Sequence, residues 1–82
     1  MYRLKTGVNL KRLEQFGYHK SIDDSCHKCY RKDLEYIDYI AIYENGTVFI
    51  DVEDFSGNSW EKYQEELLSD LIKADLVEKI GE

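Results

Sequence analysis

Two cysteines and a histidine lie within four positions of the sequence, at Cys26, His27 and Cys29. Zinc knuckles and thioredoxin-type redox sites use the same Cys-x-x-Cys spacing, and a complete structural zinc site needs four ligands. The chain has two cysteines and two histidines in all. One interpretation of this segment is therefore a metal site formed by Cys26 and Cys29 with His19 or His27, completed by a carboxylate.

A strand is the interpretation that we favour for the same segment. Residues 26 to 32 predict a strand, in which Cys26 and Cys29 would point to opposite faces and could not share a metal or a disulfide. No glycine or proline supports a tight turn between them, and the residues after Cys29 do not begin a helix that would lower a thiol pKa. We therefore predict ordinary strand cysteines and no cofactor.

A run of aromatic and β-branched residues, "EYIDYIAIYENGTVFIDVEDF", predicts a β-hairpin around Asn45-Gly46, the preferred pair for a two-residue type I′ turn. This turn places Glu44 opposite Thr47. The predicted core face then pairs Tyr43 with Val48, Ala41 with Ile50, and Tyr39 with Val52. The opposite face pairs Ile42 with Phe49, Ile40 with Asp51, Asp38 with Glu53, and Tyr36 with Phe55.

Acidic side chains cluster on that second hairpin face. Asp38 opposite Glu53, with Asp51 on the diagonal, would be destabilising without a compensating charge. A hard cation such as Mg²⁺ or Ca²⁺ could supply it, but we favour the basic side chains of the neighbouring strand, Lys28, Arg31 or Lys32. Nothing predicts a pocket that would separate the pKa values of two carboxylates, and no phosphate loop, G-x-S-x-G or H-E-x-x-H motif occurs, so no enzyme is predicted.

The remaining elements follow from local patterns. Leu10, Leu13 and Phe16 predict a short helix over 10–16, with Asn9 as N-cap and Gly17 just after its end. Strands are predicted over 18–21 and 26–32. Residues 76–80 could form an edge strand or extend the last helix, and we favour the strand. A long amphipathic helix is predicted over 59–74, capped by Asn58 or Ser59 and ended by Asp75. The expected fold is α+β: a two-layer sandwich of about four antiparallel strands, a short N-terminal helix and a long C-terminal helix.

Length and composition set the broad class. We expect the 82 residues to form one domain, with 43% hydrophobic and 34% charged residues, which is a globular composition. The longest apolar run is strand-sized, which predicts no membrane span, and the first residues do not resemble a signal peptide. The expected location is the cytoplasm, where cysteines are thiols.

Charge is distributed unevenly along the chain. Residues 1–32 carry eight Lys and Arg against three acids, a net +5, whereas residues 33–82 carry three Lys against fourteen acids, a net −11. Such a split is compatible with a nucleic-acid-facing end. We favour the alternative that the two halves lie side by side and neutralise each other.

The opening "MYRLKTGVNLKRLEQFGY", the tyrosine-rich hairpin and the ending "DLIKADLVEKI" resemble a group of small phage and prophage proteins from Gram-positive bacteria. The resemblance covers both ends of the chain and includes no catalytic motif. It implies a host-cytoplasmic, phage-related protein, and it implies no activity and no site residue.

The expected function is a non-enzymatic protein-binding module. One long helix would cover one sheet face and leave an aromatic and acidic surface on the other, available to a basic partner protein or to a second copy of the chain. The predicted surface consists of Tyr36, Asp38, Phe49, Asp51, Glu53 and Phe55. The alternatives are nucleic-acid binding through residues 1–32, with Tyr18 or Tyr30 stacking on bases, and a zinc protein using the Cys26/Cys29 segment.

Overall fold

The structure of the protein is a computed structural model that describes residues 1–53 and 59–81. The predicted α+β class is confirmed. The strands are β1 (Tyr2–Leu4), β2 (His19–Ile22), β3 (Lys28–Asp33), β4 (Tyr39–Tyr43), β5 (Val48–Asp51) and β6 (Val77–Lys79), and the helices are a 3₁₀ helix (Leu10–Phe16), α1 (Trp60–Leu67) and α2 (Ser69–Lys73). Strands β2-β3-β4-β5 form an antiparallel sheet in that order, and β1 pairs with β6 in a second, two-stranded sheet.

The first helix has the predicted bounds and the predicted caps, although its hydrogen bonding is of the 3₁₀ type. The Asn9 side chain accepts the backbone N–H of Lys11 at 2.9 Å, which satisfies a donor that the helix itself leaves free. Gly17 ends the helix with φ of 90°, a left-handed conformation that glycine adopts without strain. The apolar spacing thus serves to bury Leu13, which has no exposed surface.

The loop between β2 and β3 corrects the prediction for the cysteine segment. Strand β3 begins at Lys28, so Cys26 lies in the loop, where it has φ of 66°. Asp23 organises this loop, because its Oδ1 accepts the backbone N–H groups of Ser25 (2.9 Å) and His27 (2.8 Å). Acidic side chains favour turns by such local bonds, and here they position the chain without glycine or proline.

The central hairpin is present, but its predicted register was wrong by one residue. The loop has three residues, Glu44 to Gly46, because the N–H of Tyr43 bonds the carbonyl of Thr47 at 2.9 Å. Only Gly46 among them takes positive φ, at 91°, which is typical of a three-residue hairpin loop rather than a type I′ turn. The pairs are consequently Tyr39 with Asp51, Ile40 with Ile50, Ala41 with Phe49, and Ile42 with Val48.

A one-residue shift moves every side chain of one strand to the other face. Ile40 and Ile42, predicted to lie on the outer face, point into the core together with Val48 and Ile50. Tyr39, Ala41 and Tyr43, predicted for the core face, lie on the outer side with Phe49 and Asp51.

The structure does not have the single long helix predicted over 59–74, and it does not show the predicted two-layer sandwich. Instead α1 and α2 are separated at Leu68, whose backbone departs from helical geometry (φ −102°, ψ 12°) while its side chain is fully buried. Ser59 provides the N-cap, with Oγ accepting the N–H of Lys62 at 3.2 Å. Asp75 follows α2 with φ of 62°, as predicted, and Asn58 lies outside the described residues.

The last strand was predicted, but its partner was not. Val77–Lys79 pairs antiparallel with Tyr2–Leu4, so Tyr2 stands opposite Lys79. No strand was predicted over residues 2–4. This small sheet contacts the larger one at the hairpin loop, where the N–H of Leu4 bonds the carbonyl of Gly46 at 2.9 Å.

One apolar cluster fills the space beside the inner face of the four-stranded sheet. It joins inner-face side chains of the sheet, such as Ile40 and Ile42, to Leu13 of the 3₁₀ helix and to Leu68 and Leu71 of the C-terminal helices. Burial of such side chains is the main stabilising contribution in a small domain. Both helical regions therefore lie on the same side of the sheet.

The two oppositely charged parts of the chain lie side by side, as favoured. Ion pairs connect Arg3 with Glu78 at 3.8 Å, Lys32 with Asp70 at 3.5 Å, and Lys5 with Asp75. In the described parts of the chain, no helix combines the length and apolar character needed to cross a membrane.

Candidate interaction surface

The outer face of the four-stranded sheet is the face turned away from the apolar cluster. Strand register determines its members, because residues paired across neighbouring strands share a face. The pairs His19 with Arg31, Ser21 with Cys29, Cys29 with Tyr43, Arg31 with Ala41, Asp33 with Tyr39, Ala41 with Phe49, and Tyr39 with Asp51 run across it. We use the term outer face for these ten residues.

Aromatic and cationic side chains stack across the middle of the outer face. The guanidinium of Arg31 lies 4.0 Å from the ring centroid of Tyr39, and the Tyr39 ring lies 6.0 Å from that of Phe49 at a tilt of 52°. Arg31 also donates a hydrogen bond to Asp33, with Nε 2.8 Å from Oδ1, and this bond lowers the pKa of the Asp33 carboxyl. Contacts of this kind hold flat side chains in place without covering them.

A groove of about 450 Å³ lies beside this stack. Its floor is Ala41, which is small and almost fully buried between larger neighbours on adjacent strands. Tyr39 and Tyr43 line the groove with Arg31, and the carboxylates of Asp23, Asp24 and Asp51 also face it. Three carboxylates against one guanidinium give the groove a net negative charge.

Asp23 forms one end of the groove and is held by several donors. Its Oδ2 accepts the hydroxyl of Tyr43 at 3.0 Å and lies 3.5 Å from Nδ1 of His27. The backbone N–H of His27 contributes most to lowering the pKa of Asp23, and the Tyr43 hydroxyl adds to the effect. Burial, then the bond to Asp23, raises the pKa of Tyr43 to about 12. Asp23 is therefore ionised and Tyr43 neutral at neutral pH.

The predicted surface residues fall into two places. Phe49 and Asp51 lie on the outer face, and the Phe49 side chain is 46% exposed. Tyr36, Asp38 and Glu53 instead border a depression of about 840 Å³ next to the β3–β4 loop. Phe55 lies outside the described residues.

The predicted repulsion between Asp38 and Glu53 is resolved by the backbone. The Oδ1 of Asp38 accepts the N–H of Glu53 at 3.1 Å, so this carboxylate bridges two chain segments instead of facing a second acid. Arg31 and Lys32, expected to neutralise the acidic cluster, pair with Asp33 and Asp70. Tyr36 is 96% exposed and has φ of 58°, so its ring projects from the loop.

The two cysteines occupy different environments. Cys29 is buried on the outer face, and burial raises the pKa of its thiol, whereas Cys26 is exposed in the loop. A buried thiol with a raised pKa is a poor nucleophile and metal ligand. Across residues 1–53 and 59–81, no group of three or more His, Cys, Asp or Glu side chains is arranged to hold a metal ion.

The predicted surface omitted Arg31, Tyr39 and Tyr43. Tyr39 and Tyr43 were assigned to the core face because the hairpin register was shifted, whereas Arg31 was expected beside the acidic cluster as a neutralising charge. A usable signal was present: the alternative register places isoleucines inside and tyrosines, which carry a polar hydroxyl, outside.

Comparison with protein-family models, with characterised proteins and with solved structures finds no match to this chain.

Proposed function

We propose that the protein is a non-enzymatic protein-binding module that recognises a basic segment of a partner protein through its outer face. The observation that carries the proposal is the groove over Ala41, where stacked aromatic rings lie beside three carboxylates. Aromatic side chains provide contact area at low entropic cost, and acidic groups around them select a positively charged partner.

The arrangement of layers supports this use of the face. We treat the fold as a two-layer sandwich in which the 3₁₀ helix, α1 and α2 form the second layer. Leu13, Leu68 and Leu71 all join the inner cluster, so the 3₁₀ helix and the C-terminal helical region both pack on the inner side. An aromatic face left accessible in this way is characteristic of association surfaces.

The mode of binding follows from the chemistry of the groove. An arginine or lysine of the partner would lie over Ala41, with its aliphatic part against Tyr39 and its charge near Asp51 and Asp23. Cation–π contact with tyrosine and pairing with carboxylates are both available at this position. The resemblance to phage proteins adds a proposed setting, the cytoplasm of a bacterial host.

Peptide selection can test the proposal. A displayed library of random peptides is selected on the full chain, and bound peptides are then compared on three variants. We expect enriched peptides to be rich in Arg and Lys and to lose affinity about tenfold or more on Asp51→Lys and Phe49→Ser. Glu66→Lys, an equal charge change on the exposed part of α1, is the matched control and should retain affinity.

Two results would contradict this function. Enrichment of acidic or neutral peptides would remove the charge argument, and equal binding by Phe49→Ser and the original chain would remove the outer face. Sedimentation at several concentrations tests the homodimer version: a second copy as partner requires association that Asp51→Lys weakens.

Nucleic-acid binding through residues 1–32 is less well supported. Several of the basic side chains in this range are engaged by acids, as in the pairs of Arg3, Lys5 and Lys32, which leaves less charge for phosphate. A zinc-protein function would need ligands around Cys26 and Cys29, and the burial of Cys29 argues against it.

A further inference from the structure

Strand β2 forms one edge of the four-stranded sheet. Its only paired neighbour among the described strands is β3, and the chain between His19 and Ile22 is largely exposed. An edge strand presents a row of unpaired backbone N–H and C=O groups, which another extended chain can bond. The opposite edge, β5, is contacted at its start by β1, through the bridge of Arg3 with Thr47.

The register identifies which backbone groups of β2 are available. The N–H of Asp23 bonds the carbonyl of His27 at 3.0 Å, so this is a hydrogen-bonded pair of the β2–β3 ladder. Hydrogen-bonded and non-hydrogen-bonded pairs alternate along an antiparallel ladder. Lys20 opposite Tyr30 and Ile22 opposite Lys28 are therefore non-hydrogen-bonded pairs, and the backbone groups of Lys20 and Ile22 point away from β3.

The side chains of the same two residues border a cleft. This cleft, of about 650 Å³, lies between β2, β3 and the start of the 3₁₀ helix, with Leu10, Ile22 and Tyr30 as its apolar lining. Ile22 is 62% exposed, which is unusual for an isoleucine and leaves an apolar side chain at the free edge. One strand thus offers both unpaired backbone groups and an apolar cleft beside it. In β-strand addition the backbone groups provide affinity and such a cleft receives every second side chain.

The charge around the cleft determines what fits it. Lys20 precedes Ile22 by two positions on β2, and Lys28 lies opposite Ile22 on β3. Among the described residues that line the cleft, Glu44 is the single acid. Lys11 and Arg12, both exposed, directly follow Leu10. A second copy pairing through its own β2 would bring two sets of these lysines together, and like charges across strands are destabilising. An acidic segment would be attracted instead.

We propose that β2 accepts a fifth strand from an extended, acidic segment of a partner protein, in which one face of the strand carries both carboxylates and apolar residues, because Lys20, Ile22, Lys28 and Tyr30 share one face of the sheet. Its backbone would bond Lys20 and Ile22, its carboxylates would pair with Lys20 and Lys28, and its apolar side chains would pack on Ile22, Leu10 and Tyr30. This cleft shares Ser21, Ile22 and Cys29 with the lining of the outer-face groove. The two surfaces select opposite charges, so acidic and basic peptides test them independently.

The probe is a short capped peptide that repeats Glu-Thr-Val-Thr, which places Glu and Val on one face of an extended strand, and it is titrated into the isotopically labelled full chain. We expect amide shifts concentrated at β2 and the start of β3, and an affinity about tenfold or more weaker for Lys20→Glu. Lys62→Glu, the same charge change on α1 and outside the cleft lining, is the matched control and should bind within about twofold of the original chain.

Two N-methylated peptides test the backbone contact without altering the protein. Methylating either the Glu and Val nitrogens or the Thr nitrogens blocks hydrogen bonds on one side of the strand only, so one peptide should lose binding and the other should keep it. Three results would overturn the proposal. The unmodified peptide does not bind, the Lys20→Glu variant binds it as tightly as the original chain does, or the two methylated peptides behave alike. Occupation of this edge by a single-stranded oligonucleotide and not by the peptide would also overturn it.

Discussion

The two faces of the four-stranded sheet are built from the same strands but from different chemistry. The inner face presents aliphatic side chains, such as Ile40 and Ile42, that are fully buried beneath the helical residues. The outer face presents rings, a guanidinium and carboxylates that stack and pair with one another while remaining partly exposed. The difference indicates that the inner face provides most of the stability, and it supports the proposal that the outer face binds a partner.

Truncating an inner-face side chain should have the largest effect. Ile42→Ala is expected to lower the free energy of unfolding by about 2 to 5 kcal/mol, because it removes buried methyl groups and leaves a cavity. In an 82-residue chain this is a large share of the total stability. Urea denaturation followed by circular dichroism measures the change. Phe49→Ala on the outer face is the control, and an equal loss there would contradict the contrast between the faces.

Removing a buried hydroxyl from the inner side should increase stability. The Tyr18 hydroxyl is buried and has no hydrogen-bond partner among the described residues, and an unsatisfied buried donor is costly. Tyr18→Phe is expected to raise the free energy of unfolding by about 1 kcal/mol, measured by thermal and urea denaturation.

Tyr43 on the outer face provides the matched comparison for the Tyr18 hydroxyl. Tyr43→Phe removes a hydroxyl that is bonded to Asp23, so it should lower stability where Tyr18→Phe raises it. A loss of stability in Tyr18→Phe would show that its hydroxyl has a partner that the described residues do not provide.

Breaking the stack on the outer face should have a smaller effect on stability. Arg31→Met keeps the aliphatic part of the side chain but removes its contact with the Tyr39 ring and with Asp33. We expect a loss of about 0.5 to 1 kcal/mol, together with weaker binding of basic peptides or a change in their selectivity. If Arg31→Met were as destabilising as Ile42→Ala, the outer face would be a second core and not a binding surface.

The smallest expected effect is on the acid dependence of stability. Because the folded-state pKa of Asp23 is lowered, its contribution is present above the ordinary pKa of about 4 and is lost as pH falls through the lower folded value. Asp23→Asn keeps an oxygen that accepts the two backbone N–H groups but removes the charge. Its stability should therefore fall less steeply below about pH 4, as measured by urea denaturation at several pH values.

Tyr43→Phe provides a graded control for the acid dependence. It removes one of the bonds that lower the pKa of Asp23, so its slope should lie between those of the original chain and Asp23→Asn. Identical slopes for all three chains would show that Asp23 does not contribute.

Local signals predicted the elements better than their pairing. The caps at Asn9 and Gly17 and the conformation of Asp75 depend on a few adjacent residues, and these predictions were confirmed. The hairpin register failed because both candidate faces of β4 are apolar or aromatic, so hydrophobicity did not distinguish Ile40 and Ile42 from their tyrosine neighbours.

Contacts between segments that are distant along the chain were harder to predict from the sequence than local structure. Strand β1 is three residues long and pairs with a segment near the other end of the chain, which no local pattern can indicate. The break at Leu68 interrupts a continuous apolar stripe, because burial of that side chain against the sheet overrides helical periodicity. The candidate surface depended on the register, and its central residue, Tyr39, was therefore placed on the wrong face.

The pairing of Tyr2–Leu4 with Val77–Lys79 has a consequence for the order of folding. Strands β2 to β5 connect through short loops and can assemble while the chain is still being synthesised, but β1 must wait until the last strand has left the ribosome. We expect this pair to form last and to open first, so its amide protons should exchange with solvent earliest among those of the strands.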